Sequence, residues 1–237
     1  KESADKPGNG TNMLPFSGNI DGNGHTLTFA KGSKPLFGYV RDAKVSNLNI
    51  FGTYIDGYGL VENYVVDYGK DGKNWTDDDP KAVITAEKVT IKSGTRIHQS
   101  GFLGGYASGI DHADFTNCTI EQGVTIGCNI DGTSAGLSNI GTIKNCVSYA
   151  TVYGDSNVGG IAGIRGQSTD IFSIENCAFH GIINATGNNI GGILGSGYYM
   201  YNAPNAFGAV IKNCTVDGNI SGRNNIGGIF GAEAGID

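Results

Sequence analysis

Proline is scarce in this chain, at 5 of 237 residues, and several patterns that would direct a functional reading are missing altogether. No run of about 18 apolar residues occurs, so no segment is built to cross a membrane as a helix. No stretch repeats apolar residues at i, i+3, i+4 and i+7 for long enough to make a helix of any kind. Lysine and arginine are not clustered, the net charge is −6 and the pI is near 5.1. Nucleic acid is thereby excluded as a partner, because phosphate binding needs concentrated positive charge. His-Glu-x-x-His and Cys-x-x-Cys are both absent, which removes the helical zinc-peptidase site and the common structural zinc sites. Collagen is excluded too: glycine reaches 40 residues, but without a Gly-X-Y period.

What the chain does contain is a phrase written three times. Ile143-Lys144-Asn145-Cys146 is followed by Asn157-Val158-Gly159-Gly160-Ile161-Ala162-Gly163. Ile174-Glu175-Asn176-Cys177 is followed by Asn189-Ile190-Gly191-Gly192-Ile193-Leu194-Gly195, and Ile211-Lys212-Asn213-Cys214 by Asn225-Ile226-Gly227-Gly228-Ile229-Phe230-Gly231. Self-similarity on this scale marks a stacked architecture in which no unit buries its apolar face alone. Weaker copies stand upstream at Phe115-Thr116-Asn117-Cys118 and Val45-Ser46-Asn47-Leu48. One column then reads Leu48, Val89, Cys118, Cys146, Cys177, Cys214, with spacings of 41, 29, 28, 31 and 37 residues. It is apolar throughout, so its cysteines are expected as small buried hydrophobes with free thiols. Cys128 stands outside it.

Short alternating runs broken by Gly and Asn, at this spacing, predict an all-β chain. The expected fold is a single-stranded parallel β-helix (β-solenoid), right-handed, with about seven coils. The Asn before each ladder position is expected to stack its side-chain amide along the axis, where a repeated Asp would repel itself. Each Gly-Gly pair is expected at a corner that needs positive φ or close backbone approach. Phe16 to Phe29, with its Asn23-Gly24 turn, reads as the first coil. Residues 1–14 read as a flexible polar tail and 15–237 as one repeat domain, with loop insertions at about 62–82 and 196–208.

The Asn-(Val/Ile)-Gly-Gly-Ile-x-Gly element resembles the GLUG motif of large bacterial secreted and cell-surface proteins. Phe16-Ser17-Gly18-Asn19-Ile20-Asp21-Gly22-Asn23-Gly24-His25-Thr26-Leu27 resembles the way such regions begin. The resemblance spans roughly Phe16 to Gly231 and is specific for architecture. It implies a usually non-catalytic module, found in adhesin-like proteins and in IgA-specific metallopeptidases. It also implies a secreted or surface location and further domains in the same parent chain.

Candidate functional residues lie where the phrase is interrupted. Tyr64, Tyr68 and Trp75 in the first insertion, and Tyr198, Tyr199 and Tyr201 in the second, offer rings for stacking on sugars or anchoring an extracellular host protein. No cofactor is required. The metal alternative is Ca²⁺ on Asp67, Asp71, Asp77 and Asp79, whose spacing departs from the usual calcium loop. Asp111, His112 and Asp114, with Arg96 and His98 one coil earlier, form the cluster that a polysaccharide lyase or hydrolase would use. Gly132-Thr133-Ser134-Ala135-Gly136 matches Gly-x-Ser-x-Gly, as chance allows in a glycine-rich chain. The leading expectation is therefore a non-catalytic, adhesin-like module that binds host glycan or protein through its inserted loops. The alternatives are a polysaccharide-active enzyme and a structural stalk.

Overall fold

The computed structural model describes residues 15–64, 83–99, 101–102, 112–127, 141–164, 173–197 and 210–233. These form 26 strands and no helix, in sheets whose pairings are all parallel. The described residues build a parallel β-solenoid of seven coils. The first sheet stacks Phe16–Asp21, Phe37–Ser46, Val83–Glu87, His112–Thr116, Thr142–Lys144, Ser173–Glu175 and Val210–Lys212 in that order. The second stacks Thr26–Phe29, Asn49–Gly52, Thr90–Ile91, Thr119–Ile120, Val147–Ser148, Ala178–Phe179 and Thr215–Val216. A third runs from Arg96–Ile97 through Thr125–Ile126, Thr151–Gly154 and Ile182–Ala185 to Asn219–Ser221. The last three coils carry two further three-stranded sheets, made by the Gly-Gly phrases.

Alternation at period two sends one side chain of each pair inward. Ile50, Ile91 and Ile120 stack in register, as do Ile97, Ile126, Val152 and Ile183, and all are fully buried. Each buried aliphatic side chain contributes about 1.5–3 kcal/mol relative to exposure. Leu48, Val89, Cys118, Cys146 and Cys177 form the expected buried column, and Cys214 is half-buried at its end. The four cysteines are free thiols. Each donates its S–H to a backbone carbonyl, for example Cys146 Sγ to Lys144 O at 3.1 Å and Cys177 Sγ to Glu175 O at 3.3 Å. The neighbouring thiols of Cys118 and Cys177, and then burial, push the Cys146 thiol up.

The corner chemistry is divided between Asn and Gly: of the two needs expected at a Gly-Gly corner, close approach is the one that glycine meets. Positive φ belongs to asparagine: Asn47, Asn117, Asn145, Asn176 and Asn213 lie at 49° to 56°, and Asn157, Asn189 and Asn225 at 51° to 63°. Asn tolerates this left-handed region better than other residues with a Cβ. The amides also stack as expected. Asn176 Nδ2 donates to Asn145 Oδ1 and Asn213 Nδ2 to Asn176 Oδ1, both at 3.2 Å. A second ladder runs from Asn225 to Asn189 at 2.8 Å and from Asn189 to Asn157 at 2.9 Å. The Gly-Gly pairs have ordinary φ and serve close approach instead. A Cβ on Gly160 would stand 2.4 Å from the Gly192 carbonyl oxygen of the next coil and 2.4 Å from the Phe179 ring.

Asn176 therefore holds two separable roles. Asn176→Ala should lose the left-handed tolerance, about 1–2 kcal/mol, and the amide ladder, about 0.5–1.5 kcal/mol. Asn176→Gly should restore the first and not the second. In thermal unfolding the Ala variant is expected to melt several degrees below the parent chain, with the Gly variant between them.

Candidate functional site

Most residues singled out in the sequence fall outside the described part of the structure. Tyr64 ends the strand Val61–Tyr64, in register with Val40. Tyr68, Trp75, Tyr198, Tyr199 and Tyr201 lie outside the described residues, as do Asp67, Asp71, Asp77 and Asp79, Asp111, Cys128 and the Gly132-to-Gly136 match. Among the described residues no three His, Cys, Asp or Glu side chains are grouped to hold a metal ion.

The cluster suggested for a polysaccharide-active enzyme is not assembled by its described members. His112 and Asp114 sit two apart on one strand of the first sheet, with Nε2 3.0 Å from Oδ1. Arg96 and His98 are at the third sheet, and both turn toward the preceding coil. His98 Nδ1 lies 3.1 Å from Asp56 Oδ1, and the Arg96 guanidinium stands 5.7 Å from the Tyr54 ring centroid. Lys34 Nζ donates to Asp56 Oδ2 at 3.0 Å. Stacking joins equivalent positions on one sheet, so a neighbour in coil number is not a neighbour in space when it belongs to another sheet.

The described surface gains its relief from a change in turn length. Between the second and third sheets the earlier coils use four residues: Lys92 to Thr95 between Ile91 and Arg96, then Glu121 to Val124 between Ile120 and Thr125. Gly94 and Gly123 take φ of 83° and 88° in these turns. From the next coil onward two residues suffice, namely Tyr149-Ala150, His180-Gly181 and Asp217-Gly218. Register is kept on both sides, with Ile120 opposite Ser148 and Thr125 opposite Thr151. The shorter corner is tight: a Cβ on Gly181 would stand 2.0 Å from the Ala150 carbonyl oxygen, and one on Gly218 2.3 Å from that of Gly181. Gln122-Gly123 is left as a shelf beside three recessed corners, and an open concavity of about 490 Å³ results.

Its walls combine rings, hydroxyls and amides. Tyr149, Thr151, His180, Ile182, Asp217 and Asn219 line it together with the Gln122 shelf. Tyr149 stacks on His180 with ring centroids 5.1 Å apart and planes 25° apart, a contact that contributes about 0.5–1.5 kcal/mol. His180 Nδ1 is in turn paired with Asp217 Oδ1 of the next coil. Tyr149 and Ile182 remain 40% and 42% exposed, so apolar surface is available to a ligand. Tyr153, also exposed, follows Thr151 on the same coil. The lining residues include no Lys or Arg. Sequence reasoning missed this site. The available signal was that Thr119 to Ile126 spans eight residues while its counterpart Val147 to Val152 spans six.

A pH test follows from the Asp56 cluster. The Lys34 hydrogen bond, and then that from His98, hold the Asp56 carboxyl below the ordinary carboxylate value of 3.8. A depressed folded-state pKa gives stability that is complete above about pH 4 and is lost as pH falls through the lowered value. Carboxyl NMR titration should place Asp56 below 3.8, and Lys34→Ala should move it back up toward 3.8.

Compared with models of protein families, with curated proteins and with solved structures, the chain matches none.

Proposed function

We propose that this chain is a non-catalytic, adhesin-like repeat module of a secreted or cell-surface bacterial protein, and that it binds neutral glycan at the corner concavity. One observation carries the reading: a two-residue shortening of the same turn in three successive coils opens a recess with aromatic, hydroxyl and amide walls. Sugars are recognised by this mixture, an apolar ring surface for the C–H face and a few fixed polar groups for the hydroxyls. Asp217 is the carboxylate of the recess and no Lys or Arg lines it, so neutral chains are favoured over polyuronates or sulfated glycans.

The resemblance to GLUG regions supports the surface location and the non-catalytic role. The inserted segments bearing Trp75 and Tyr199, outside the described residues, remain the second candidate for binding glycan or host protein. The polysaccharide-active alternative has less support. Glycoside hydrolysis ordinarily takes two carboxylates roughly 5–9.5 Å apart, and the described lining offers one.

Glycan-array binding followed by calorimetry tests the proposal. Tyr149→Ala and Asn219→Ala should each weaken binding about tenfold or more, equivalent to about 1.4 kcal/mol. Inserting Gln-Gly between Tyr149 and Ala150 should restore the long turn and abolish binding while the unfolding temperature holds. A ligand lost in Trp75→Ala or Tyr199→Ala, but kept in these three variants, would move the site to the loops. The absence of any glycan or host-protein ligand for the parent chain would leave the stalk reading.

A further inference from the structure

We propose that the corner concavity holds the end of a glycan chain, with the terminal sugar standing against the Gln122-Gly123 shelf, and does not admit a segment from within the chain. The inference rests on the glycan reading given above and adds the part of the glycan that is recognised.

The recess runs along the rod and is closed at one end. Its three corners, Tyr149-Ala150, His180-Gly181 and Asp217-Gly218, follow one another at about 4.8 Å per coil. Beside them on the third sheet Thr151, Ile182 and Asn219 stand in register. Among the described residues the lining includes Thr151 and not Thr125, its register partner on the preceding coil. There the lining turns across the axis, through Gln122 and Gly123.

The wall so formed is braced from behind. Gln122-Gly123 stacks on Ser93-Gly94, the equivalent pair of the coil before, and Gly94 N–H donates to Gly123 O at 3.3 Å. Glu121 pairs with Lys92 Nζ and accepts a hydrogen bond from Ser93 N–H at 2.8 Å, so its carboxylate is engaged behind the wall. A Cβ on Gly123 would stand 2.7 Å from Ser93 Oγ, which shows how closely the two turns meet. A chain lying along the corners ends at this wall or has to climb over two stacked turns.

The corner residues follow the wall. A Cβ on Gly181 would stand 2.0 Å from Ala150 O and one on Gly218 2.3 Å from Gly181 O, so a short corner stacked on a short corner needs glycine. Ala150 holds the same position with its side chain buried, because it stacks on the long turn, where Thr151 N–H donates to Val124 O at 2.9 Å.

A chain end and a chain interior differ chemically at this spot. An interior sugar carries its neighbour on the linking oxygen, whereas a terminal sugar has a free hydroxyl there that both donates and accepts. Gln122 supplies the matching group, an amide with donors and an acceptor. The exposed Tyr149 ring lies in the first corner for the face of the same sugar.

Stoichiometry tests the inference on the chain as it stands. Calorimetry with short and severalfold longer fractions of linear neutral glucan, mannan, galactan and xylan should give one protein bound per glycan chain at both lengths. A number of bound proteins that grows with chain length would overturn the chain-end inference and leave the glycan reading in place. Binding to none of the four would overturn both. Gln122→Ala should weaken binding of the short fraction roughly fivefold to tenfold at an unchanged unfolding temperature, and unchanged affinity would overturn the placement of the terminal sugar. Removing Gln122-Gly123 together with Val124→Ala and Ala150→Gly moves the wall back to Ser93-Gly94. The oligomer length at which affinity levels off should then grow by about one sugar, the advance of one coil; an unchanged length would overturn the proposal. Should that variant not fold, the stoichiometry decides.

Discussion

Everything in this fold depends on each coil bending at the same place as the one before it. The bend between the first and second sheets is a single left-handed residue, and the chain places asparagine there five times. Lys88 shows which part of the asparagine matters most. It holds the same conformation, with φ of 54°, although it has neither the tolerance nor the amide of Asn. The conformation is therefore obligatory, and the amide ladder strengthens a bend that the stacked strands already impose. At the foot of the rod Asp21 takes the Asn47 amide at 3.0 Å, so an acceptor-only group starts what asparagines continue.

The architecture was legible because stacking makes the sequence redundant. Leu48, Val89 and the cysteines occupy one column and share only size and apolarity, which is what a buried ladder selects. Asn and Gly were harder to separate. Both permit positive φ and both suit tight corners, so residue type alone does not say which supplies the bend and which supplies the space. The structure divides the labour: Asn157, Asn189 and Asn225 bend, and the glycines after them let the next coil approach.

The candidate site was less legible for a different reason. Inserted residues such as Trp75 and Tyr199 announce themselves by composition, whereas a shortened turn leaves nothing unusual to notice. Tyr149, His180 and Asp217 look unrelated in sequence, being three different side chains at unmarked positions. They become neighbours through Ser148, Phe179 and Val216, which stack immediately before them. Only the register turns them into a group.

The way the turn is shortened also explains why the scaffold tolerates it. Val124 and Ala150 close the longer and the shorter turn, and both are fully buried. Removing two residues keeps the inward and outward alternation on either side, where removing one would turn the following strand inside out. The backbone at the new corner remains tied to the ladder: Tyr149 N–H donates to Ile120 O at 2.9 Å, His180 N–H to Ser148 O at 2.9 Å, and Asp217 N–H to Phe179 O at 3.2 Å. Backbone fixed in this way would lose little freedom on binding the proposed ligand. The backbone of a recess made by a shorter turn is thus held by the same hydrogen bonds that build the rod, and the binding surface proposed there would need no added loop that binding would have to order.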